Sequence, residues 1–456
     1  MKNAKIKDPN RIGGGEKLSY FLANVGNIPL MTLTSSFLLI FYTNVVGLDP
    51  AAVATLFLIS RILDGINDPV MGFLMDQMPR TKMGKFRPML IIGTIICALN
   101  YVLLWFGPVW APAGKLVIVY ITYLLLGLTF DLMDISLNSM LPVMTADNKQ
   151  RNKLSTVKGV GYIVGTILVS VLAPKILGDT SNLQGYYVLI LGTVALVVVF
   201  SVVGALGIKE RVEPVTEKKY TIREELKILM EKPVLITFLA ILLYSIATTL
   251  VSSSNTYFFT YIIPDLDKLG TVSLLTSLGT IPGILLAGPI ISKFGKKACH
   301  VFAILIPVPF MILRLFAIQN FSIILLASVL SGISSGIAIP MRYGMQADNT
   351  DYIILKRHQQ AEAAIASLSS FISKCAMGIG GAIPGYLLAW AGFQKDAAMQ
   401  PDSVNTAIIA CTIVIPAALF IVAAVIFGVL YPLGKKRLAE QTEELQHLRE
   451  SGVKIV

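Results

Sequence analysis

The chain has 456 residues, of which 55% are hydrophobic and only 14% charged, and its mean hydropathy is +0.72. About a quarter of the residues in a soluble domain are charged, so the composition excludes an ordinary soluble enzyme or binding module. The net charge of +11 would suit a nucleic-acid partner, but the basic residues alternate with apolar runs instead of forming one patch, which excludes that partner.

A helix needs about 20 apolar residues to cross a bilayer. Such runs recur at 20–46, 51–75, 88–110, 116–145, 155–178, 185–208, 233–263, 268–292, 299–318, 321–346, 359–392 and 405–433, predicting twelve spans. Alternate connections and the termini hold 29 Lys and Arg. The remaining connections hold four, namely Lys115, Lys175, Lys268 and Lys395. This asymmetry places both termini and the central loop in the cytoplasm of a bacterial-type inner membrane and requires an even number of spans. The basic, Gly-rich start leads into a long apolar run with no small-residue cleavage pattern, so no cleavable leader is read there.

Span 2 reads Arg61-Ile-Leu-Asp64-Gly-Ile-Asn67-Asp68-Pro69. Arg61, Asp64 and Asp68 stand at i, i+3 and i+7, on one helical face, with Asn67 beside it. Carboxylates a turn apart repel in a low dielectric unless a cation or proton joins them, and Asp and Asn oxygens suit a monovalent metal ion. A structural pair between Arg61 and one Asp is the plainer alternative. Span 4 reads Phe130-Asp131-Leu-Met-Asp134-Ile-Ser136-Leu-Asn138. Asp131, Asp134 and Asn138 again share a face, and carboxylates and amides suit the hydroxyls of a polyol. Interhelical pairing with Lys158 of span 5 is the alternative, and the two roles are compatible. Each intramembrane charge costs roughly 2.5–3.5 kcal/mol at a helix centre on insertion scales, so such residues face a bundle interior or a wet cavity.

Span 5 carries Gly159, Gly161 and Gly165, and span 11 carries Gly378, Gly380, Gly381 and Pro384, a pattern of tight helix packing or hinges. The polar loop 209–232 separates six spans from six, with a short surface helix read over 222–230. Lys374 of span 11 either donates to a ligand or satisfies an acid. Arg342 and Arg314 are read as reaching from spans 10 and 9 to water. The tail 435–456 is read as a frayed continuation of span 12 in water. Cys97, Cys299, Cys375 and Cys411 have no metal or redox spacing, and His300, His358 and His447 lie at span ends or in the tail. No phosphate loop, nucleotide fingerprint or zinc signature occurs, so neither an enzyme nor a bound cofactor is expected.

A weak internal repeat pairs Ala146-Asp147-Asn148 with Ala347-Asp348-Asn349, and the Gly84-Lys85-Phe86-Arg87 segment with Lys293-Phe294-Gly295-Lys296-Lys297. Six-plus-six repeats with a site between them are the pattern of the major facilitator architecture. The expected domains are a six-helix bundle over 1–208, the loop 209–232, a second bundle over 233–434 and the tail 435–456.

Several longer motifs carry a family resemblance. They are Lys17-Leu-Ser-Tyr20, Tyr42-Thr-Asn-Val-Val-Gly-Leu48, Arg61 through Gly72, Arg80-Thr-Lys-Met-Gly-Lys-Phe-Arg-Pro88, Ala347-Asp348-Asn-Thr-Asp351-Tyr352 and Ser373-Lys374-Cys375 leading to Gly380-Gly381-Ala-Ile-Pro384. Together they resemble the glycoside–pentoside–hexuronide:cation symporters, the group of melibiose and glucuronide permeases. The resemblance implies that Asp64 and Asp68, with Asn67 beside them, hold the coupling cation, either Na⁺ or H⁺. It also implies that Asp134 lies where cation and sugar sites meet and that Lys374 closes the cluster. If the ion is Na⁺, Asp64, Asp68 and Asp134 are its expected ligands.

The chain departs from melibiose-type members at four places. Ile28 stands where they have a sugar-gripping acid, Asn138 at an aromatic position, Lys158 at an arginine and Asp131 at a hydroxyl residue. The resulting expectation is cation-coupled uptake of a hexuronide or pentoside, with Asp131, Asp134, Asn138, Lys158 and Lys374 toward the solute and Asp64, Asn67, Asp68, Asp131 and Asp134 toward the cation. A single chain in the bilayer is expected to suffice. A carrier of a lipid-like or other anionic amphiphile is the alternative.

Overall fold

The computed structural model describes residues 12–145, 147–212, 227–357, 361–395, 397 and 399–450. The side chains of some helical residues, Asp68 among them, lie outside that description, as does most of the surface helix read over 222–230. Helices α1 (Gly14–Ile40), α2 (Pro50–Gln77), α3 (Phe86–Trp110), α4 (Lys115–Met144), α5 (Asn148–Leu177) and α6 (Leu183–Gly207) come first. They are followed by α7 (Lys232–Tyr257), α8 (Leu266–Leu305), α9 (Val308–Phe316), α10 (Phe321–Arg357), α11 (Glu362–Trp390), α12 (Asp402–Ile409), α13 (Ile415–Leu430) and α14 (Lys435–Glu450). An all-helical chain follows from its solvent. In hydrocarbon every backbone N–H and C=O must be paired within its own segment or a closed barrel. Side chains such as Leu99 and Leu285, 65% and 71% exposed, then face lipid at little cost.

Among the described residues, ten stretches are long and apolar enough to span a membrane, so the chain is a multi-pass membrane protein. Two features account for the difference from twelve. Many side chains of α2 after Arg61 lie outside the described residues, which leaves Pro50–Arg61 as a short apolar segment. Leu266–Phe316 counts as one stretch of 51 residues, although the chain turns a corner at Gly295, whose φ is 83°. That corner falls between the runs 268–292 and 299–318.

The chain divides into two compact units. Met1–Leu48 and Ile62–Thr216 form one, and Asp49–Arg61 and Glu217–Val456 the other. In the first, α1 leans on α5 and α6, while α3 lies against α4 and α6. A Cβ on Gly161 would meet Asn24 and the backbone of Phe21, and one on Gly165 would come 2.7 Å from Val25 O. An aromatic knot of Phe41, Trp105 and Tyr186 fills one end. In the second unit, Gly279 and Gly283 of α8 face Gly332 and Gly336 of α10, the small-residue contact that lets backbones touch. The stripe Gly378, Gly381 and Gly385 of α11 receives Pro50, Ala54, Phe57 and Arg61 from the start of α2. These glycines therefore pack helices, the plainer of the two roles read from the sequence.

Two features were not legible beforehand. The helices α1 and α7 each end in a π turn, Phe41–Val46 and Phe258–Ile262. The matching sequences Phe41-Tyr42-Thr43 and Phe258-Phe259-Thr260 extend the internal repeat. The tail is also not a frayed continuation of its predecessor. The backbone is extended at Tyr431, and α14 starts afresh and docks, leaving Gln441 3% and Leu445 6% exposed. Gln441 Nε2 donates to Asp348 O at 2.8 Å, and Asp348 pairs with Lys296 at 2.6 Å. A stripe of buried contacts and a carbonyl acceptor on α10 fix this helix, which charge composition alone did not reveal.

Candidate cation and solute site

The acids expected to matter lie in the first unit, on α2 and α4. Gly127, Asp131, Asp134 and Asn138 are spaced i, i+4, i+7 and i+11, so they form one stripe of α4. Asp64 of α2 is 4% exposed. Its carboxylate lies against Gly127, where a Cβ would collide with Oδ1. The glycine thus makes room for the acid, and the acidic face of α2 meets the acidic stripe of α4 at this point. Asp131, one turn along, is 7% exposed.

Farther along the stripe, Asn138 Nδ2 donates to Asp134 Oδ2 at 2.8 Å. Lys158 Nζ of α5 donates to Asn138 Oδ1. Asn138 therefore bridges an anion and a cation on neighbouring helices, using both ends of its amide. All three side chains are half-buried. Lys158 Nζ also stands 5.5 Å from the centre of the Tyr162 ring. The pairing of α4 with Lys158 expected from sequence is thus present, with an amide interposed. Such a chain offers donors, acceptors and an aromatic face within a few ångströms, the equipment for a polyhydroxylated solute.

Asn67 is half-buried on α2, and the Asp68 side chain lies outside the described residues. Lys374 is half-buried on α11 of the second unit. Among the described residues no three His, Cys, Asp or Glu side chains converge as a metal cage. Arg342 does not simply run to water. It is half-buried, with Nη2 3.5 Å from Ser245 Oγ on α7. Arg314 is 6% exposed, so it does not reach water either; the Phe258 ring, 5.0 Å from its guanidinium carbon, holds it inward.

Sequence reasoning passed over three residues here. Gly127 sits in a Leu-rich span, and only its phase with Asp131 marks it. Tyr162 follows Lys158 by one turn. Asn27 of α1 is 1% exposed, and both its amide atoms lack a partner among the described residues; its signal was an amide inside an apolar run.

Residues 19–435 match the model of the MFS/sugar transport protein family. The chain belongs to that family. The resemblance carried by the motifs is thereby borne out, and this family member is a transporter in its whole architecture. It is 28% identical to the isoprimeverose transporter of Lactiplantibacillus pentosus, over 88% of this chain and 85% of that protein. It is 23% identical to the sodium-dependent lysophosphatidylcholine symporter 1 of Xenopus tropicalis, over 91% and 86%. The crystal structure of a D-xylose–proton symporter superposes with a TM-score of 0.63 at 15% identity, over 92% of this transporter and 97% of that chain. That likeness establishes a shared fold.

Proposed function

We propose that this transporter couples inward movement of a small glycoside, a hexuronide or pentoside, to a monovalent cation. The observation that carries the reading is the chain Asp134–Asn138–Lys158, with the buried Asp64 of α2 set against Gly127 of the same stripe of α4. Asp64, Asn67 and Asp68 are assigned to Na⁺ or H⁺, with Asp131 and Asp134 at the border of the two sites. Asp134, Asn138 and Lys158 are assigned to the solute's hydroxyls, and Lys374 to closing the cluster. Empty, the acids repel one another and disfavour an occluded state. The cation neutralises part of that charge and fixes α2 against α4, after which the solute completes the set. Members of the wider fold move solute by alternating access.

The same reading takes as spans α2, the first arm of the bent α8, and its second arm continued by α9, which gives twelve, with the termini in the cytoplasm of an inner membrane. Domain boundaries at 208, 233 and 434 accompany it. The isoprimeverose relative supports a glycoside, and the sodium-dependent relative supports a metal cation. That second relative also favours another cargo, a lipid-like amphiphile.

Uptake into right-side-out vesicles decides between these readings. Glycoside uptake driven by an imposed Na⁺ or H⁺ gradient, and uncoupled in Asp68→Asn, is the expected result. Uptake that follows acyl-chain length and ignores the glycone would replace the glycoside by an amphiphile.

A further inference from the structure

The second unit contains a charged side chain that the symport reading does not use. Arg314 lies in the last turn of α9 and is 6% exposed. Its Nε and Nη2 are buried with no hydrogen-bond partner among the described residues. The Phe258 ring face attracts the cation, and the end of its own helix favours positive charge. Neither satisfies those two donors, and an ion buried without a counter-charge is strongly unfavourable.

A second unsatisfied group lies alongside. Ser254 is one turn before Phe258 on α7, so both project from the same face. It is 1% exposed, and its hydroxyl lies against the Cys411 thiol, a weak partner that leaves it free to donate to an anion. The helix changes to π winding at Phe258. The π turn Ala410–Val414 packs on α9 from another side. Such turns concentrate at functional sites. Through Phe258 and Cys411 these elements bring a guanidinium edge and a hydroxyl, all donors, into one neighbourhood, and Arg314 has no ion pair with an acid among the described residues.

We propose that Arg314 and Ser254 hold a small monovalent inorganic anion of the chloride class in the second unit, apart from the acids of α2 and α4. Near-complete burial admits a small ion and excludes a phospholipid headgroup with its chains. Two N–H donors and one O–H donor, with an aromatic ring beside the guanidinium, suit a spherical anion that needs few ligands. The proposal does not rest on which solute the first unit carries.

The test is equilibrium binding of radioactive chloride to the purified transporter in gluconate buffer at fixed ionic strength, with thermal unfolding alongside. Saturable binding of one chloride per chain is expected, with a rise in unfolding temperature on replacing gluconate by chloride or bromide. Arg314→Met should lose this response, and Ser254→Ala should weaken binding severalfold. Wild-type protein without saturable chloride binding overturns the proposal, whether or not Arg314→Met folds. Full binding in Arg314→Met overturns it as well. Displacement of chloride by glucuronate at equal concentration overturns the inorganic assignment and makes Arg314 a carboxylate site.

Discussion

The carboxylate of Asp64 occupies the space that a side chain at Gly127 would fill. One residue is the acid of α2, and the other is the glycine that lets α4 approach it. Gly127→Ala forces the carboxylate away or the helices apart without altering any charge. Cation affinity should fall by roughly tenfold, the scale of about 1.4 kcal/mol, with solute affinity measured in saturating cation changing much less. Sodium- or proton-dependent thermal shift and uptake kinetics check this. Equal losses of both affinities would make Gly127 a general packing residue.

Asn138 is the joint of the polar chain in the first unit. Asn138→Leu removes the amide that joins Asp134 to Lys158, and a lost hydrogen bond to a charged group costs about 1.5–3 kcal/mol. The apparent KM for glycoside should rise by roughly tenfold or more, with cation binding retained. Asn138→Gln restores both ends of the amide and should recover part of the affinity. Wild-type KM in Asn138→Leu would remove this residue from the solute site.

Glu210 anchors the start of α3. Its carboxylate accepts backbone N–H groups from Lys85, Phe86 and Arg87 at 2.8–2.9 Å. The preceding Gly84 has a φ of 109° and touches the same carboxylate, so no side chain fits there. Glu210→Ala removes a helix cap, a change that costs about 0.5–2 kcal/mol, and should lower the unfolding temperature by a few degrees. Gly84→Ala should do at least as much, because strained backbone adds to the lost space. Scanning fluorimetry of both variants is the check.

Glu231 supplies the pH dependence. Burial alone would raise its carboxyl, but hydrogen bonds from Lys356 and Arg357 at 2.6–2.7 Å outweigh burial and hold it below its ordinary value of 4.5. A depressed carboxyl stabilises the fold fully above its unfolded value. That contribution fades as the pH falls through the lower folded value. Wild-type stability should therefore decline below about pH 4.5, and Glu231→Gln should flatten that part of the curve while lowering stability at pH 7. Parallel acid-unfolding curves for the two proteins would exclude the pair as its cause.

Much of the architecture was legible because hydrocarbon admits few backbone solutions. Apolar runs gave the helices, and the basic residues between them ordered the connections. The stripes Asp64–Asp68 and Asp131–Asn138 stood out because charge in an apolar helix is costly and helical periodicity is strict. What the sequence did not yield depends on which helices become neighbours. The bridge from Asp134 through Asn138 to Lys158 joins residues up to 24 positions apart, and no local rule selects it. Gly127 matters only because Asp64 arrives from another helix. Arg314 was read as reaching outward because its span ends nearby, and the aromatic face that turns it inward belongs to α7. The tail was misjudged for a similar reason, since Gln441 finds its acceptor nearly a hundred residues upstream.

The widened end of α1 has a mechanical corollary. An α-helix turns by about 100° per residue, so one residue held in a wider loop resets the azimuth of everything after it. Asn44, inside that segment, donates to Thr180 Oγ1 at 3.1 Å. Shortening Phe41–Val46 by one residue would keep every amino-acid type near its place yet swing Asn44 toward a different neighbour. Alanine scans test what a side chain contributes; only deletions and insertions test this angular offset.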